Sequence, residues 1–196
     1  HEFEAFGVQP GTRVKRFEEA LELIKALWSG AEVNFTGEFT TVRGARPSVR
    51  PVREGGIPIW IGGQAAGAIR RAARMGDAWY CPPFPTHDEL AELRQVFTQT
   101  RVELGLSTDG DFALRREVLI APNRSAGMTA ALDRYRARYE TYKKWGLSGE
   151  NTPVDAGEEL RADIENRFLL GSATEVSDGL ASMRDELGVT HFVYKP

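Results

Sequence analysis

The sequence predicts an α/β fold built on a parallel sheet, and three observations carry the prediction. Short apolar runs of buried-strand type recur along the chain, amphipathic helical patterns alternate with them, and glycines or Ser/Thr capping signals stand at the joints. Strands that are apolar almost throughout call for helices over the sheet, and a doubly wound sheet or a barrel meets that demand equally well.

The elements follow in order. Residues 12–29 set Val14, Phe17, Leu21, Ile24 and Trp28 at helical spacing, with Arg13, Lys15, Glu18, Glu22 and Lys25 mostly opposite, and Gly30 is placed to end the helix. AEVNFTGEFTTVR then alternates around Gly37 like a short hairpin, an insertion near 31–43, and Pro47 and Pro51 carry an extended loop. Ile57–Ile61 reads as a buried strand, Gly62-Gly63 breaks it, and AAGAIRRAARMG follows as a helix closed at Gly76. AWYCP (78–82) is a second strand, after which Thr86–Glu89 form a capping box for a helix through Leu90, Leu93, Val96 and Phe97 to Gly105.

FALRREVLIA (112–121) is a third strand and 128–145 a helix, with SGENTPVDAG as a polar loop beyond it. RFLLG (167–171) is a short strand or turn. Ser172–Glu175 form a second capping box, whose helix places Val176, Leu180, Met183 and Leu187 on one face and ends at Gly188, and THFVY (190–194) is the last strand. The helix exits RMGDAWY and ELGVTHFVY share one pattern. Four good strands fall short of a closed eight-stranded barrel, which takes ~250 residues.

Composition narrows the function. The chain has 196 residues, 41% hydrophobic and 27% charged, which suits one soluble globular domain over 1–196. Its net charge of −3 is spread along the sequence, so neither nucleic acid nor an anionic membrane is expected as a partner. Cys81 is the only cysteine, and His1, His87 and His191 are the only histidines. That leaves no internal disulfide and no metal-ligand spacing, and points to a reducing cytoplasm. No apolar run is long enough to cross a bilayer, and HEFEAFG has no signal-peptide h-region.

Two segments are candidate sites. Gly62-Gly63-Gln64 stands where a strand meets a helix N-terminus, where backbone N–H groups can hold a phosphate. It lacks the G-x-G-x-x-G spacing and the Lys-Ser/Thr of a P-loop, so from the residues alone it reads equally as a tight βα turn. Tyr80, Pro82 and Phe84 lie at the same edge of the next strand and form a candidate substrate-pocket rim, beside the plainer reading of an ordinary βα loop. Cys81 reads as a small buried hydrophobe, His87 as part of a capping box, and His191 as a strand residue facing the core or a barrel. Tyr135, Tyr139, Tyr142 and Trp145 form a helical aromatic stripe, more often core than a lid or a dimer face.

The run from RFEEALELIKALWSG through NFTGEFTTVRGARPSVRPVREGGIPIWIGGQAAGAIRRAARMGDAWY resembles the luciferase-like monooxygenases, and RFLLGSATEVSDGLASMRDELGVTHFVY looks like their last βα unit. The resemblance implies a (β/α)8 TIM barrel, represented here by its C-terminal part of about four to five βα units. It further implies a flavin (FMN) or F420 cofactor at the C-terminal ends of the strands, a small organic substrate and a homodimer. On this resemblance Gly62, Gly63 and Gln64 bind the cofactor phosphate and Tyr80 to Phe84 shape the substrate pocket. Family members carry their candidates for chemistry on about four earlier strands, expected upstream of His1, so no residue here is assigned as catalytic. The implied activity is that of an oxidoreductase, a monooxygenase or an F420-dependent dehydrogenase or reductase, although the piece spelled out here is expected to be inactive alone. The alternatives are a non-catalytic flavin-binding module and, more remotely, an unrelated phosphate-binding α/β domain.

Overall fold

The computed structural model describes residues 2–144 and 158–195, and the chain forms two compact units, His1–Pro58 and Ile59–Pro196. The first unit holds α1 (Glu2–Ala5), a 3-10 turn at Pro10–Thr12, α2 (Arg13–Trp28) and an antiparallel hairpin of β1 (Val33–Thr36) and β2 (Thr41–Ala45). The hairpin is clamped to α2 by charge and ring contacts. The Glu19 carboxylate accepts the Phe39 N–H at 3.0 Å, Lys15 pairs with Glu38 at 2.9 Å, and the Arg16 guanidinium lies 4.2 Å over the Phe39 ring. Gly37 tolerates the Glu19 carboxylate where a Cβ would collide with it. The helix ends at Gly30 as expected, in the left-handed region at φ 74°.

The second unit holds β3 (Trp60–Gly62), α3 (Ala66–Met75), β4 (Ala78–Cys81), α4 (His87–Glu103), β5 (Phe112–Ile120), α5 (Arg124–Lys144), α6 (Glu158–Arg167), β6 (Leu169–Gly171), α7 (Ala173–Leu187) and β7 (His191–Lys195). Every pairing in its sheet is parallel. β3 pairs β4 and β4 pairs β5, while β5 pairs β7 along Ala113–Glu117 and β6 along Val118–Ile120. Both capping boxes form, Thr86 with Glu89 and Ser172 with Glu175.

Several elements depart from the sequence reading. β3 begins at Trp60 rather than Ile57, because Pro58 has no N–H to give a ladder and Ile59 donates to the Asp77 carboxylate at 2.8 Å. α5 starts one turn earlier than expected, where Asn123 Oδ1 accepts the Ala126 N–H at 2.9 Å. α6 was not expected at all. The two similar helix exits also differ, for Gly188 is left-handed at φ 69° and Gly76 is extended at φ −102°. Gly76 is needed for space instead, since a Cβ there would sit 3.0 Å from the Ala72 carbonyl oxygen. Trp145 and the whole SGENTPVDAG loop (148–157) fall outside the described residues, as do the side chains of Tyr139 and Tyr142. Tyr135 is core, edge-on to Phe168 at 4.8 Å within the cluster of Met128, Leu160, Ile164 and Leu170.

The sheet has two unlike faces. Register puts Ile61, Trp79, Cys81, Phe112 and Leu114 on one, all buried. There Trp79 stacks on Phe112 at 4.9 Å and on Phe97 of α4 at 6.5 Å. The other face carries Trp60, Tyr80, Arg115, Glu117 and His191. β3 and β7 are separated by two strands, so a flat sheet would hold them roughly 14 Å apart. Yet the Trp60 and His191 rings meet at 4.9 Å. The sheet therefore curls about this second face, as a barrel wall does and an open doubly wound sheet does not.

Candidate functional site

The turn from β3 into α3 is shaped by what its residues lack. Gly62 lies in register with Tyr80, and a Cβ on it would touch the Tyr80 ring at 3.5 Å, so the ring stands beside bare backbone. Gly63 passes so close to α3 that a Cβ would run into Ala68. Its N–H reaches the Tyr80 carbonyl at 3.4 Å, and its own carbonyl accepts the Trp79 indole N–H at 2.8 Å. The Ala68 N–H already donates to the Ala65 carbonyl at 2.8 Å, so the N–H groups left for a ligand belong to Gln64 and, in the first turn of α3, to Ala66 and Gly67. That turn is uncapped, because the N-cap residue is Ala65, extended at ψ 142° and without a side-chain oxygen. α4 and α7 close their first turns with their own Ser/Thr–Glu boxes. Donors and the positive helix end converge at the α3 terminus, an arrangement that could hold an anion.

The rim segment follows β4 at the same edge. Tyr80 is half-buried on the concave face, while Cys81 points the other way, fully buried, with its thiol pushed up to about 12 by burial against the opposing pull of Arg116. A thiol in that state is no nucleophile. Pro82 and Phe84 are half-buried, and Pro85 closes the loop. Gly62, Gly63 and Tyr80 are thus in contact, with Gln64, Pro82 and Phe84 on the chain leading from them.

Sequence reasoning missed the group that anchors this rim. Arg116, 1% exposed, donates to the Pro85 carbonyl at 3.0 Å and to the Arg115 carbonyl at 3.1 Å. Burial pulls its pKa down to about 10, partly offset by Cys81 and Glu117, so it stays charged at neutral pH. Beside it, burial and then Arg116 hold the His87 imidazole down near 4, although its hydrogen bond to the Phe168 backbone acts the other way. On α6, Asp163 and Arg167 form a buried pair at 2.5 Å, and burial lifts the Asp163 carboxyl to about 6. The legible signal was the charged triplet Arg115-Arg116-Glu117 inside an otherwise apolar strand.

The family model for luciferase-like monooxygenases matches residues 1–191. The chain belongs to this family. Among curated relatives, the F420-dependent glucose-6-phosphate dehydrogenase of Rhodococcus erythropolis (strain PR4 / NBRC 100887) is 42% identical over 69 residues, which are 35% of this chain and 20% of that protein. The enzyme of the same name from Nocardia farcinica (strain IFM 10152) matches at the same identity and coverage. Among solved structures, an F420-dependent secondary alcohol dehydrogenase in complex with an F420-acetone adduct superimposes with TM-score 0.76 at 18% identity, over 98% of this chain and 59% of that one. A long-chain alkane monooxygenase superimposes with TM-score 0.73 at 15% identity, over 99% and 55%.

The fold is that of the luciferase-like TIM barrels, as the curled sheet implies, and the chain spans little more than half the length of those structures. In such barrels ligands meet the C-terminal ends of the strands, the edge that holds the α3 turn and the Tyr80 rim. Among the described residues, no helix is long and apolar enough to cross a membrane.

Proposed function

We propose that the protein is an oxidoreductase that holds the phosphate of a reduced flavin or F420 at the β3–α3 turn and admits a small organic substrate past Tyr80, Pro82 and Phe84. One observation carries the reading: an uncapped helix N-terminus stands at the C-terminal edge of a parallel strand, beside two glycines that keep side chains away. Gly62 and Gly63 act through close approach, and Gln64, Ala66 and Gly67 supply N–H donors. The bound cofactor would supply the hydride or oxygen chemistry. The chain's part is to fix the phosphate, hold the rim through Arg116 and Pro85, and screen the substrate from water. F420 is favoured over FMN by the names of the curated relatives.

Titration of the protein with FMN and with F420, followed by fluorescence, tests the reading. A carboxylate set beside the turn should weaken binding at least about tenfold, the worth of one charge-assisted contact. Gly67→Asp does this in open space, since nothing lies within 4 Å of a Cβ there. Failure of both cofactors to bind at micromolar concentration overturns the proposal, as does a Gly67→Asp protein that binds as the parent does.

A further inference from the structure

The first unit contains a cleft that the proposed function does not use. Its volume is ≈ 480 Å³, within the roughly 300–1,000 Å³ of ligand pockets, and it lies between the C-terminal end of α2 and the 50–56 loop. Its walls include Lys25, Trp28, Arg50 and Arg53. Arg50 lies across Gly30, so closely that a Cβ on that buried glycine would strike its side chain. The far wall is a turn in which the Gly56 N–H reaches the Arg53 carbonyl at 3.1 Å. Gly55 and Gly56 take φ 84° and 96°, and a Cβ on Gly56 would sit 2.8 Å from the Trp28 ring. The cleft is therefore preformed by glycines that let the chain close on Trp28 and Arg50.

Its charge is out of keeping with the rest of the chain. Residues 43–53 hold Arg43, Arg46, Arg50 and Arg53 with no acid among them, in a protein of net charge −3. Among the described residues, neither the Arg50 nor the Arg53 guanidinium has a hydrogen-bond or ion-pair partner. Glu54 is the one acid lining the cleft. Two unpaired planar forks suit the oxygens of a phosphate, and the apolar wall of Trp28 suits the organic part of the same ligand. We propose that this cleft binds a small organic phosphate of two or three negative charges. The compact volume and the net negative charge of the chain argue against a nucleic acid as the occupant.

Calorimetric titration of the protein with ADP and with pyrophosphate, at low and at physiological salt, tests this. Binding of ADP that weakens with salt is expected, with a loss of roughly tenfold or more in Arg50→Gln/Arg53→Gln, since each lost contact is charge-assisted. Arg50→Lys/Arg53→Lys keeps the charge but not the fork, and should fall between the two. Gly67→Asp, which disables the β3–α3 turn, should leave this binding unchanged, so the two sites succeed or fail separately. No binding of either probe below millimolar concentration overturns the proposal. So does equal affinity in the glutamine variant, or tighter binding of a DNA duplex than of ADP.

Discussion

Acidification should pull two groups of the second unit, the half-buried His87 and the buried Asp163, in opposite directions, and one substitution should separate them. His87 has its pKa lowered from 6.5 to about 4 by burial first and by Arg116 next, against the Phe168 backbone and Asp88. Within that window the unfolded chain binds a proton that the folded chain refuses. The stability supplied by the neutral ring is therefore whole above pH 6.5 and is lost as the pH falls toward 4. Asp163 has its pKa raised from 3.8 to about 6 by burial, with Glu117 adding to the rise and Arg167 opposing it. Here the folded chain takes the proton first, so the contribution is whole below pH 3.8 and is lost as the pH rises through 6. Each shift covers roughly two pH units, about 3 kcal/mol at full burial. Solvent at the half-buried His87 and relaxation of the structure around the buried Asp163 carboxyl reduce that to about 1.5 kcal/mol each. The parent should therefore be nearly flat between pH 6.5 and 4 in these two contributions. His87→Gln, whose amide can still donate to the Phe168 backbone, should gain about 1.5 kcal/mol relative to the parent over that fall. Asp163→Asn should lose as much. Urea midpoints at a constant m-value, followed by tryptophan fluorescence, measure the differences. Carboxylates held low by their own hydrogen bonds, such as Glu175 and Asp185, are common to all three proteins and cancel. Parallel pH profiles in parent and His87→Gln would refute the reasoning.

Three other outcomes follow from the packing. Trp79→Ala should cost about 3–5 kcal/mol in urea unfolding, because it empties a site stacked on both Phe97 and Phe112 and frees the Gly63 carbonyl. Thr86→Ala and Ser172→Ala should each cost about 1 kcal/mol and add in the double variant, since the two boxes cap different helices. Cys81, buried with its thiol near 12, should react with a disulfide reagent at pH 8 only as fast as the fold opens, and at once in denaturant.

Much of this fold was legible because its signals are local. A capping box needs only residues three apart, and both boxes formed where the sequence placed them. The strand starts were less legible, since Ile57–Ile61 is uniformly apolar and only the missing Pro58 donor and the Asp77 carboxylate fix the first paired residue at Trp60. α6 escaped notice beside a polar loop, although Leu160, Ile164 and Phe168 stand four apart and are all buried. The candidate site was legible as a position rather than as a set of contacts. Glycines announced the β3–α3 turn, but nothing in the sequence shows that Gly63 gives its N–H to Tyr80 and its carbonyl to Trp79. Arg116 was illegible for a like reason: its partner is a backbone carbonyl thirty-one residues away. Nor does a strand's composition reveal which of its faces curls inward. Trp60 and His191 meet only because the whole sheet bends.

The uncapped start of α3 sets stability against binding, and that conflict can be measured. Ala65 already has the extended backbone of an N-cap, φ −72° and ψ 142°, and lacks only the oxygen. Ala65→Ser should supply it to the Gly67 N–H and stabilise the chain by about 1 kcal/mol, a rise of roughly 2–4 °C in Tm for a protein of this size. The same oxygen would compete for the donors that a phosphate needs, and Ala65→Asp would add like-charge repulsion to the competition. If the turn serves only to join β3 to α3, both variants are stabilised and nothing is lost. If it holds a cofactor phosphate, thermal stability and cofactor affinity move in opposite directions, and Asp loses more affinity than Ser. A natural alanine at a position whose geometry suits serine is what selection for binding at the expense of stability would leave behind.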